Sequence, residues 1–266
     1  MRTARRRVAP PTAAAVLAAL AASTLLTGCA GDASGAQPSR ISEVAPLGTG
    51  QPQVGRAGRQ APAPPVQQPA VLPGVGPRTL AEVPADARQV VLVTGAGRDA
   101  TTGRVTLYRR DDVSGWVAAG PAWPAHNAAR GWTDEHHSGD LRSPVGVFTL
   151  TDAGGRLPDP GTKLTYEHAP IGFTPHGTGV DGESLKGAFD YVIAINYNRK
   201  AGTSPRDWTR PMGESRGGGI WLHVDHGGPT EGCVSLPAAV LRTLLRTLDP
   251  ALHPVVVMGD AAALAR

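Results

Sequence analysis

The 266-residue sequence predicts a mainly β fold, a β-rich mixed domain with one or two helices, in its C-terminal two-thirds. Three observations point there. All twelve aromatic residues lie at or after Tyr108, so the first hundred residues hold none of the large side chains that build cores. Segments with strand character recur at short intervals: Gln89–Thr94, Arg104–Arg109, Gly146–Thr151, Tyr191–Tyr197, Ile220–Val224 and Pro254–Met258. Gly, Pro, Asn and Asp punctuate the gaps between them. One stretch carries a helical apolar stripe. It follows Ser235 as an N-cap, has Pro237 in its first turn, and runs through Val240, Leu241, Leu244, Leu245 and Leu248 to a stop at Asp249-Pro250.

The segment before this head has a different chemistry. Arg2, Arg5, Arg6 and Arg7 precede an apolar run from Ala13 to Leu26 in which only Ser23 and Thr24 are polar. Fourteen helical residues span about 21 Å, short of the roughly 30 Å hydrocarbon core, so an export signal fits better than a transmembrane helix. The run ends Leu26-Thr27-Gly28-Cys29, which resembles the lipobox of bacterial lipoproteins. That resemblance implies a diacylated Cys29 as the mature N-terminus, with two acyl chains sufficient for stable anchoring. Nine prolines and no aromatic residue follow between Ala30 and Arg78, a composition unable to offset its ordering entropy. The expected organisation is a signal peptide over 1–28, lipidated Cys29 and a tether over 29–78, and a folded head over 79–266. As a flexible coil the tether would span about 40 Å.

Charge excludes one class of partner. The net +4 comes from 26 basic and 22 acidic residues, and the four N-terminal arginines account for all of it. The rest is neutral, with no basic stripe interleaved with aromatics, so nucleic acid is not an expected partner.

The head contains one cysteine, Cys233, which has no partner in the chain if Cys29 is lipidated. A lone thiol in an exported protein is either a small buried hydrophobe or a reactive group. Its neighbourhood favours the second. Along Ile220-Trp221-Leu222-His223-Val224, strand alternation sends Ile220, Leu222 and Val224 inward and Trp221 and His223 to the opposite face. A Gly/Pro-rich loop then returns to Thr230-Glu231-Gly232-Cys233, with nine residues separating His223 from Cys233. A thiol is mostly protonated at neutral pH, and a nearby imidazole is the usual activator. Gly232 permits close approach of a substrate, and amides near Gly232 and Cys233 are candidate oxyanion donors.

These residues resemble the YkuD-type L,D-transpeptidase catalytic domain. The strand ending in His223 and the run Thr230-Glu231-Gly232-Cys233-Val234 match that family's signature. Arg142-Ser143-Pro144-Val145-Gly146-Val147-Phe148 is similar to an upstream family feature, and Phe189 to Asn198 is similar to a strand that precedes the site in one branch. The chain departs from the pattern at Val224, where a glycine is common, at Glu231 and Ser235 beside the cysteine, and in its tight His–Cys loop.

The resemblance implies an L,D-transpeptidase-like catalytic fold acting on peptidoglycan stem peptides. No cofactor or metal is expected, nothing in the sequence suggests more than a monomer, and the lipobox places the head at the outer face of the cytoplasmic membrane. Cys233 would attack the carbonyl of the third stem residue, and the terminal D-amino acid would leave. An amine from a second stem would resolve the thioester into a 3→3 cross-link; water would instead give L,D-carboxypeptidase trimming. His223 would be the base, with Gly232 and Thr230 at the oxyanion or substrate side. His226 is an alternative base. Two other classes stay open: a zinc-dependent cell-wall hydrolase using His223, Asp225 and His226, and a peptidoglycan-binding lipoprotein without activity. His136 and His137 are expected as polar loop residues at the rim.

Overall fold

The computed structural model describes residues 71–266. The expected signal peptide, Cys29 and the tether up to residue 70 lie outside the described residues. Among the described residues, no helix is long and apolar enough to cross a membrane. The fold is mainly β, as the sequence predicts. In chain order come α1 (Pro77–Ala81), β1 (Gln89–Gly95), β2 (Thr102–Asp111), β3 (Gly115–Ala118), β4 (Trp123–His126), β5 (Trp132–Thr133) and β6 (Ser143–Pro144). Then follow β7 (Gly146–Thr149), β8 (Asp152–Gly155), β9 (Thr165–His168), β10 (Val192–Ala194), β11 (Trp221–Val224) and β12 (Val234–Leu236). The last elements are α2 (Ala238–Thr247), β13 (Val255–Asp260) and α3 (Ala261–Leu264).

One curled mixed sheet holds most of the strands, in the order β7-β13-β1-β2-β4-β12-β11-β10-β8-β9, with β3 on β2; β5 and β6 pair separately. Third in that order, β1 pairs parallel with β13 and antiparallel with β2. Its apolar run Val90-Val91-Leu92-Val93 is buried on both faces, which explains why it reads as continuous rather than alternating. Val91 and Val93 enter a large core with the α2 stripe Val240, Leu241, Leu244 and Leu245. Val90 and Leu92 enter a smaller one with Leu72, Val75, Ala87 and Leu264. Each of these valine and leucine side chains, fully buried, contributes about 1.5–3 kcal/mol.

Two boundaries differ from expectation. Leu72 and Val75 are buried, so the packed unit includes residues ahead of the expected start at 79. The N-cap of the helix lies two residues later than expected, at Pro237 rather than Ser235. Ser235 lies in β12 and donates its hydroxyl to Asp225 Oδ1 at 3.0 Å, while Pro237 caps α2 without a side-chain bond. The strand pairing wins because Ser235 is fully buried between β11 and β4.

A buried ion pair ties β8 to the segment after β10. Arg199 Nη1 donates to Asp152 Oδ2 at 2.9 Å, with both side chains almost completely enclosed. The same carboxylate accepts from Gly202 N and Thr151 Oγ1. Removing one partner leaves the other charge buried and uncompensated. Asp152→Ala is therefore expected to cost about 3–5 kcal/mol in urea-induced unfolding, a large part of a domain's usual stability.

Candidate functional site

Register places the thiol and the strand imidazole together. β11 and β12 run parallel with Leu222 opposite Val234 and His223 opposite Ser235. Cys233, just ahead of β12, therefore lies opposite Trp221 and on the same sheet face as His223, the face away from Leu222 and Val234. Two contacts fix the sulfur. Trp221 N donates to Cys233 Sγ at 3.4 Å, and the thiol reaches Gly219 O at 3.7 Å.

The loop behind the sulfur is held through its carbonyl. Thr230 Oγ1 donates to Cys233 O at 2.6 Å, and Ser143 Oγ donates to the same carbonyl at 3.4 Å. Thr230 is itself buried and bridged to Asn127 and Ala129 through its backbone, so its part is to shape this turn. Ser143 belongs to the upstream motif, and its reach to Cys233 gives that motif a physical connection to the thiol. Gly232 is used inward. A β-carbon there would lie 2.9 Å from Ile220 Cδ1 and 3.6 Å from both Arg142 O and His136 Cε1. The missing side chain admits the protein's own packing; the expected approach by a substrate is not what this glycine makes room for.

His223 is buried, with 3% of its surface exposed, although it points away from the main core. Phe189 packs edge-on against its ring at 5.4 Å, and His226 stacks parallel at 5.6 Å. Its Nδ1 sits 2.9 Å from Val224 O. A carbonyl only accepts, so Nδ1 carries the proton and Nε2 keeps its lone pair. The orienting group that sequence left unassigned is thus the carbonyl of the next residue.

Burial sets the resting protonation. It pushes the Cys233 thiol up to about 11, with the Glu231 charge adding to the rise and the Trp221 amide opposing it. It pulls the His223 imidazole down to about 4, helped by His226 and opposed by the Val224 carbonyl and Asp225. Both groups are neutral at pH 7. The two groups on this sheet face are thus a neutral thiol and a neutral imidazole, not a thiolate and an imidazolium.

The remaining sequence candidates separate. His226 Nδ1 lies 2.9 Å from Glu183 Oε1, out of line for a hydrogen bond. Asp225 turns the other way, accepting from Ser235 and lying 2.9 Å from His126 Nδ1. Burial would raise this carboxyl, but the bonds from His126, Ser235 and Gly227 N outweigh it and keep it low. His223, Asp225 and His226 therefore do not converge, and no three His, Cys, Asp or Glu side chains among the described residues could hold a metal ion. His136 is a correction to the expected rim. It is buried, 3.0 Å from Asp140 Oδ1, and wedged against Gly217 and Gly232; His137 beside it is exposed.

Sequence reasoning assigned no part to three side chains around these strands, those of Phe189, Trp221 and Arg210. Phe189 bridges His223 and Trp221, whose ring also packs against Phe173. Trp221 Nε1 is buried without a hydrogen-bond partner, an unused donor on the residue that contacts the sulfur. Arg210 lies against Gly218 and Gly219. Phe189 stood inside a quoted motif; Arg210 had no local signal. Two surface hollows, around Thr149 and His253 and around Val117 and Trp123, include neither Cys233 nor His223 or His226. A scan against family models finds no match for this chain, and neither do searches of curated proteins and of solved structures.

Proposed function

We propose that this domain is a cysteine acyltransferase, a peptidoglycan L,D-transpeptidase acting on stem peptides. One observation carries the reading: Cys233 and His223 share a face of two adjacent parallel strands, and the Val224 carbonyl commits Nδ1 so that Nε2 is the available base. The motif residues point the same way, since Ser143 and Thr230 both brace the cysteine turn.

In the proposed reaction Cys233 Sγ attacks the carbonyl carbon of the third stem residue as His223 Nε2 takes the thiol proton. The C–N bond to the terminal D-amino acid breaks, its nitrogen receives that proton from His223, and a thioester remains. An amine of a second stem then attacks the thioester, loses a proton to His223 and restores the thiol. Water in place of the amine gives the trimmed peptide. Gly232 and Cys233 amides are the proposed oxyanion donors. Export, and anchoring through a lipidated Cys29 on the outer face of the membrane, belong to the same proposal.

Intact-mass spectrometry tests it. The protein is incubated with a tetrapeptide donor or with a carbapenem, a trapped acyl donor. The expected result is a single adduct on Cys233, absent in Cys233→Ala. No adduct on the wild-type chain would overturn the acyl-transfer reading, and an adduct retained by Cys233→Ala would overturn the assignment of the nucleophile.

A further inference from the structure

The run Gly217-Gly218-Gly219 leads into β11 and supplies the carbonyl that the thiol touches. All three residues have positive φ, at 63°, 142° and 69°. The run is squeezed from two sides. A β-carbon on Gly217 would lie 2.7 Å from His136 Nε2, and one on Gly218 would collide with the side chain of Arg210. A β-carbon on Gly219 would lie 3.6 Å from Arg210 Nη2. Bare backbone thus lets a guanidinium settle beside the nucleophile's own neighbours.

Arg210 is held there without being neutralised. Its Nη1 donates to Asp207 O and Thr209 O, and its guanidinium lies 4.9 Å over the ring of Trp208, which is 81% exposed. No carboxylate among the described residues reaches salt-bridge distance of it; the Asp207 carboxylate is turned to Thr209 N instead. The contrast with Arg206 is direct, since Arg206 is clamped by Glu167. A half-buried guanidinium fixed by carbonyls and an aromatic face keeps unused donors in the fork geometry that fits a carboxylate.

Through Gly219, the guanidinium is no more than about 10 Å from the sulfur, about three residue lengths of extended peptide. We propose that Arg210 reads the acyl donor by binding one of its carboxylates, either the terminal carboxylate of the departing residue or an acidic side chain on the third residue. This rests on the acyl-transfer reading above.

The test uses four donors: a tetrapeptide, its C-terminal amide, its third-residue side-chain amide, and the double amide. Acylation of Cys233 is followed by mass for wild type, Arg210→Gln and Arg210→Lys, with unfolding midpoints checking that each variant is folded. Arg210→Gln is expected to raise the donor KM about ten- to hundredfold with a smaller change in kcat. It should also erase the wild-type preference for one free carboxylate over its amide, and that amide identifies the source. Arg210→Lys should recover part of both. Wild-type KM and unchanged amide ratios in a folded Arg210→Gln would overturn the inference alone; no adduct with any donor on wild type would overturn it together with the acyl-transfer reading.

Discussion

Alkylation of Cys233 by iodoacetamide should accelerate about tenfold with each pH unit from 6 to 10, with no plateau near neutrality. The thiolate is the reactive form, and burial has pushed this thiol up to about 11. At pH 7 the thiol is therefore almost wholly protonated. A preformed thiolate–imidazolium pair gives the opposite profile, flat from mildly acidic pH upward. The sign follows from the cause: desolvation penalises the charged form, so the raised thiol stays protonated until pH passes its shifted value. A plateau between pH 5 and 8 in a rate-against-pH series would overturn this account of the resting site.

His223→Ala should lower the rate of thioester formation about 10²–10⁴-fold, whereas His226→Ala should cost about tenfold or less. With the sulfur protonated, attack needs a base that removes the proton as the bond forms. Nε2 of His223 has that freedom, on the sheet face that carries Cys233. His226 stacks on the outer side of His223 and faces Glu183, so its loss loosens a neighbour. For wild type, kcat/KM should be flat from about pH 5 to pH 9 and fall as pH drops through the lowered value of His223, about 4. Full activity in His223→Ala, or a larger loss in His226→Ala, would exchange the two roles.

Much of this was legible in the residues, and what was not has identifiable causes. Strands β1 and β13 announce themselves because Val90-Val91-Leu92-Val93 and Val255-Val256-Val257-Met258 are apolar and mostly β-branched. β8 was invisible: Asp152-Ala153-Gly154-Gly155 has almost no strand propensity and persists through tertiary contacts. Arg199 grips Asp152, Phe173 presses on Gly154, and Asp190 O lies against Gly155. Ser235 read as a helix cap because its local sequence suits one, yet Asp225 and the neighbouring strands claim it. At the candidate site, alternation along β11 gave the face of His223 correctly. Its burial could not be read, because Phe189 and His226 cover it from other segments. Cys233 stood out as a solitary thiol beside glycines. Arg210 did not, since what marks it is a packing relation to Gly218 and Gly219 rather than any local pattern.

The stacked rings of His223 and His226, 5.6 Å apart and only 8° from parallel, bear on the fate of the moving hydrogen. A ring enclosed by a phenyl group and a second imidazole gives an added positive charge nowhere comfortable to stay. Once protonated it is an acid far stronger than free histidine, and any nitrogen departing from the substrate is a much better home. The residue then works as a relay with a short dwell time, and capture and delivery of the hydrogen become nearly one event.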